Sequence, residues 1–222
     1  MKDFFYNGRT VPVVNGNMLD SLEGAGDSDS LSALEDSLKE AEDNGKKYIL
    51  GFRHDGLLWR IVACRDFSDV KRGDIGGMVE FESNLSQERD CWLYDDSVSC
   101  SSPITEVFDN AKLKGNAYVC NGAKVFGRAV VEDFASVSEN AKVYGDAWLH
   151  EHARMWDRSR AFGHAEISGN AIVGGDVVVC DNAIVTDDAY LEGYLKVCEN
   201  ARVLMKFTMT EGDEVISDYR FV

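Results

Sequence analysis

Between residues 109 and 150 the chain reads DNAKLK GNAYVC NGAKVF GRAVVE DFASVS ENAKVY GDAWLH, seven six-residue units with no insertion. The period runs unbroken to Leu204, giving 16 units from Asp109. The fifth residue of every unit is apolar, from Leu113, Val119 and Val125 to Val197 and Val203. The third is alanine in 13 of the 16, the exceptions being Ser159, Val177 and Leu195. Residues two apart on a strand point to the same side, so a small and an aliphatic side chain from each unit can fill one narrow interior. Gly, Asn, Asp and Glu crowd the first two positions. Gly, Asn and Asp are the residues that enter the left-handed or tight-turn conformations a corner requires. A three-residue strand and a corner repeated every six residues describe a coiled parallel solenoid rather than an array of hairpins.

The pattern extends backwards through RDCWLY (89–94) and DDSVSC (95–100), with Cys91 and Ser97 in the small position. SSPITEVF (101–108) is eight residues long and contains Pro103, so it reads as one unit with a two-residue bulge or short loop. Upstream, FFYNGRTVPVV and KYILGFRHDGLLWRIVACRDF alternate around Asn-Gly and Asp-Gly, which predicts strands and a hairpin at Asp55-Gly56. SDSLSALEDSLKEAEDNG predicts one helix near 30–44, capped by Ser30 or Ser32 and ended at Gly45. Its stripe is Leu31, Leu34, Leu38 and Ala41. The expected organisation is an N-terminal α+β cap over 1–74, a repeat region over 75–204 and C-terminal cap strands over 205–222, protecting the open rungs.

These hexads resemble the hexapeptide-repeat left-handed β-helix proteins, in which an aliphatic residue is followed four positions later by a small one, as in Val143–Ala147. The resemblance implies a triangular, left-handed prism with three hexads per coil, here about six coils of roughly 4.8 Å rise. The segment 64–94 adds a second likeness, to YdcK-type hexapeptide-repeat proteins of bacteria, prophages and phages. It is carried by Asp66-Phe67, GDIGGMVE (73–80), NLSQ (84–87) and CW (91–92). That family implies a generic transferase-like activity without catalytic residues to transfer, and the superfamily implies a trimer.

The net charge is −16, and half of that excess lies between Asp20 and Asp43. No basic stripe suggests duplex DNA as a partner. No apolar run predicts a signal peptide or a membrane span, so a cytoplasmic protein of a bacterium or an infected cell is expected. Six cysteines without CxxC pairs predict free thiols, including Cys180 and Cys198 stacked on neighbouring coils, and no metal site.

Residues 18 apart should stack, and this places the candidate functional groups. His150 falls between Glu132 and Ser168, His152 between Phe134 and Asn170, and His164 above Asp146 and Arg128. The fourth positions form three outward rows. One carries Lys124, Lys142, Arg160, Val178 and Lys196, flanked by Phe126, Tyr144 and Phe162. A second carries Tyr118, Ser136, Arg154, Ile172 and Tyr190, with Trp156 beside it. The third, with Val130, Trp148 and Ile184, is a candidate oligomer contact. Stacked cations repel unless compensated, either by the corner acids Glu139 and Asp157 or by an anionic ligand. A nucleotide would place its base over the aromatics and its phosphates on Lys124, Lys142 and Arg160.

The leading expectation is therefore a non-catalytic binding or interaction protein that takes a small anionic ligand or a host protein. The alternative is a coenzyme A-dependent acyltransferase, the only reading that needs that cofactor, with His150 or His152 as general base. A third reading is a structural component of a phage or other assembly.

Overall fold

The computed structural model describes residues 4–6, 9–11, 13–53, 56–204, 208–209, 214–217 and 220–221. From Ile75 onward the chain winds into a parallel β-helix whose three flat faces are sheets of short strands. Between Glu106 and Val203 the register is 18 residues per coil: Val119 pairs with Val137, Val125 with Val143 and Val131 with Leu149, whereas the coils that contain the expanded 101–108 unit pair 20 apart, as at Val98 with Tyr118 and Trp92 with Lys112. Three hexads per coil is thus the geometry of the prism.

The reason lies in the repeat. Third- and fifth-position side chains are buried and form one continuous core from Leu93 and Ala111 to Ala201 and Val203. First-position residues carry the corners at positive φ, among them Asp133 (58°), Glu151 (58°), Gly145 (73°) and Gly163 (73°). Where a serine replaces alanine inside the prism, its hydroxyl is satisfied locally, Ser159 Oγ donating to the Trp156 carbonyl at 2.7 Å. No buried side-chain nitrogen or oxygen among the described residues lacks a partner.

The helix has about seven turns rather than about six, because both ends contribute. At the start, Ile75–Val79 pairs parallel with Val98–Cys100 and antiparallel with Trp59–Ala63, joining the prism to the cap. At the end, Thr208–Met209, Glu214–Ser217 and Arg220–Phe221 continue the three ladders in parallel. They extend the stack by a coil instead of crossing it.

The cap contains two helices where one was expected. α1 (Met18–Gly24) starts at Asn17, whose side chain accepts from the Leu19 and Asp20 amides. α2 (Ser28–Asp43) begins earlier than the Ser30 or Ser32 cap predicts, because Asp27 accepts from the Ser30 amide at 3.2 Å and supplies the N-cap. Gly45 (φ 79°) follows its C-terminal end, as its position suggests. Met18 and Leu22 of α1, with Leu34, Leu38 and Ala41 of α2, pack on Val62, Cys64 and Ile75. Tyr48–Arg53 and Trp59–Ala63 form the expected antiparallel pair, while Asp55 of the predicted turn lies outside the described residues. The prism's open end is closed by Tyr48, Phe67 and Trp92 packed edge to face. Beside them lies fully buried Lys47, whose ammonium donates to the Cys91 carbonyl at 2.8 Å. Burial pushes the pKa of Lys47 down. Arg60 reaches from the cap to the Asp95 carbonyl and the Asp96 carboxylate.

Candidate functional site

Lys124, Lys142 and Arg160 stand in register on consecutive coils of one face. Beneath Lys124 in the same row is Glu106, and the two form an ion pair of 2.6 Å. Lys142 is exposed and joins no ion pair among the described residues, and Arg160 acts on Asp176 through its charge without a hydrogen bond. The corner acids Glu139 and Asp157 form no ion pair with Lys142 or Arg160 among the described residues and turn instead to the backbone. Glu139 accepts from the Asp157 amide at 3.2 Å, and Asp157 from the Gly175 amide at 3.1 Å. The Glu139 carboxyl is also hydrogen-bonded to the Asp157 carboxyl, which pushes its pKa upward. An open groove of about 640 Å³ runs along this row between Ile104, Asn140 and Arg158. Arg158 is clamped to Asp176 through two bonds of 2.8 and 2.6 Å, so its outward position is fixed.

The aromatic row lies on the opposite flank of the cations. Phe126 stacks on Tyr144 at 4.8 Å and Tyr144 on Phe162 at 4.9 Å. Phe108 extends the stack downward, 4.7 Å from Phe126 and within 4° of parallel. The ring centroids repeat at the rung spacing, which leaves no room for another planar ring between successive members of the stack. A base therefore cannot lie over Phe126 or Tyr144, and these rings do not line the cationic groove. The structure separates two groups that the sequence suggested would share one ligand. Glu106, Phe108 and Arg158 were the residues missed. Glu106 and Phe108 lie 18 residues before Lys124 and Phe126, and that spacing could have found them across the Pro103 bulge.

The three described prism histidines have distinct surroundings. His150 is 3.3 Å from Glu166 through Nε2 and lies 3.9 Å from the Trp148 ring, nearly parallel to it. Trp148 Nε1 donates to Glu132 at 2.7 Å, so Glu132, Trp148, His150 and Glu166 form one chain of contacts. His152 is exposed and stacks on Phe134 at 5.2 Å, in a pocket of about 370 Å³ that also includes Asn170. His164 completes the expected ladder. Arg128 grips Asp146 through bonds of 2.6 and 2.7 Å, and first Arg128 and then His164 hold the Asp146 carboxyl below its usual range. All six cysteines are buried and free. No group of three or more metal-ligating side chains occurs among the described residues. No helix among the described residues is long and apolar enough to cross a membrane.

No family model matches the chain. A stretch of 103 residues, 46% of the chain, is 30% identical to a protein of Escherichia coli (strain K12) described as "Uncharacterized acetyltransferase YdcK". The chain spans 27% of that relative's length.

Proposed function

We propose that this protein is a binding scaffold whose cationic groove takes a small anionic ligand, of the phosphate-bearing kind. The observation that carries this reading is the adjacency of Lys142 and Arg160, on successive rungs, with neither held by a hydrogen-bonded acid. Two cations about 5 Å apart repel, and an anion between them relieves that repulsion while gaining charge-assisted hydrogen bonds. Arg158 and Lys124 border the same groove but are paired with Asp176 and Glu106, so Lys142 and Arg160 supply its uncompensated charge. The double variant Lys142→Glu/Arg160→Glu should weaken binding of pyrophosphate or adenosine triphosphate at least about tenfold by calorimetry, given charge-assisted bonds of roughly 1.5–3 kcal/mol. Unchanged affinity would overturn the assignment.

A second reading is coenzyme A-dependent acyl transfer, with His150 as general base oriented by Glu166. It is supported by the 3.3 Å His150–Glu166 contact and by the description carried by the E. coli relative. Acetyl transfer lost in His150→Ala but kept in His152→Ala is its expected signature. A trimer, the assembly expected of this fold class, is proposed with either reading and is measurable by sedimentation velocity.

A further inference from the structure

The stacked rings end over a pocket. Leu85 bridges Val107 in parallel, and the Ser86 amide donates to the Val107 carbonyl at 2.9 Å. This register puts Ser86 one rung below Phe108, in the place where the ladder would otherwise set a fifth ring. The face of Phe108 turned away from Phe126 consequently borders a pocket of about 530 Å³. Leu85 and Val107, both buried, supply its apolar floor. Its polar edge is already fixed in place. Gln87 accepts from the Lys47 and Tyr48 amides at 2.8 and 3.2 Å and donates to Glu82 at 3.0 Å. Glu106 is held by Lys124.

Two features define the occupant. The free ring face favours a planar aromatic group that continues the stack, which is a sequence-tolerant way to hold a base. Glu82 and Glu106 are paired with Lys46 and Lys124 through one carboxylate oxygen each, and their second oxygens favour N–H donors and disfavour an acidic ring. We propose that this pocket binds the amino-bearing heteroaromatic ring of a purine nucleoside, seated under Phe108 as the fifth member of the ladder. The inference goes beyond the anion groove and needs no phosphate.

Adenosine and guanosine, which carry no phosphate, are the probes. Each is titrated into the 222-residue protein and followed by calorimetry and by proton chemical shifts at Leu85 and Ser86. Saturable binding should shift those resonances through the ring current. Phe108→Leu, which removes the stacking face, and Ser86→Phe, which fills the vacancy, should each weaken binding about tenfold or more, the usual scale of one base–aromatic contact. The Lys142→Glu/Arg160→Glu variant should bind the nucleosides as the unaltered protein does, even if it loses all anion binding. Absence of saturable binding to the unaltered protein at millimolar nucleoside, or undiminished binding by Phe108→Leu, overturns the proposal. So does loss of nucleoside binding in the groove variant, which would place the ring elsewhere. Should Ser86→Phe fail to fold, Phe108→Leu decides alone.

Discussion

At the scale of the residue, the corners show why composition at one position tolerates only a few alternatives. Gly145 sits at φ 73°, and a Cβ there would lie 3.0 Å from the Gly163 nitrogen on the next coil. Asp133 and Asp157 occupy equivalent corners at φ 58° and turn their side chains to use, accepting from the Glu151 and Gly175 amides at 3.1 Å. Glycine solves the corner by having no side chain, and aspartate by bonding to the coil above. Gly145→Ala has neither solution and should cost about 1–2 kcal/mol in urea unfolding, the penalty of a left-handed residue plus the close contact. Gly145→Asp should cost less, because its carboxylate can accept from the Gly163 amide. An alanine variant no less stable than the aspartate variant would contradict this account. This level of the fold was the most legible in the sequence, because each hexad position has one physical task and a matching residue type. Lys47 was not legible. Its carbonyl and sulfur partner, Cys91, is 44 residues away and is brought to it only by folding.

At the scale of the element, segments outside the strict period decide how the prism begins. The loop around Asp69 is pinned to the first coils by its carboxylate, which accepts from Lys112 and from the Tyr94 hydroxyl, each at 2.7 Å. The Lys112 bond is the larger cause, with Tyr94 adding to it, of an Asp69 pKa well below the usual carboxylate range. A depressed carboxylate pKa means that the unfolded chain binds the proton more readily. The resulting stability is present above about pH 4 and is lost as pH falls through the folded value. Asp69 is more than half exposed, so solvent screens the pair to about 0.5–1 kcal/mol. Asp69→Asn should therefore lower stability by that amount at pH 7, with the difference shrinking steadily below pH 4 in acid titrations of unfolding. A pH-independent difference would assign the effect to packing. The same element scale explains the missed end of the aromatic stack. Phe126, Tyr144 and Phe162 were visible because an uninterrupted count links them, whereas Phe108 lies just before the unbroken run, in the unit that Pro103 expands. Likewise α1 is only seven residues long, too short for an apolar stripe to stand out, and its signal was the Asn17 cap.

At the scale of the whole molecule, stability is distributed along one axis. Each coil touches only its neighbours, so protection against local opening should follow position in the stack. The two ends differ. The first coils are covered by the antiparallel strands, the two helices and the Tyr48–Phe67–Trp92 cluster. At the other end, Thr208–Met209, Glu214–Ser217 and Arg220–Phe221 are the terminal strands of their sheets, paired on one side only among the described residues. That asymmetry was only half legible: the sequence announced strands after Leu204, but not whether they would cross the last rung or extend it. Extension leaves three ladder edges to open first. In hydrogen exchange of the 222-residue chain, amides near Val137, Val143 and Leu149 should be the slowest. Protection should decline progressively through Val179 and Val185 to Val197 and Val203, without a matching decline toward Leu93. A symmetric loss at both ends would mean that the cap opens independently of the prism. Uniform protection to Val203 would mean that the final coil is covered, and a contact with a second copy of the chain, as in the proposed trimer, would then be the first place to look for the cover.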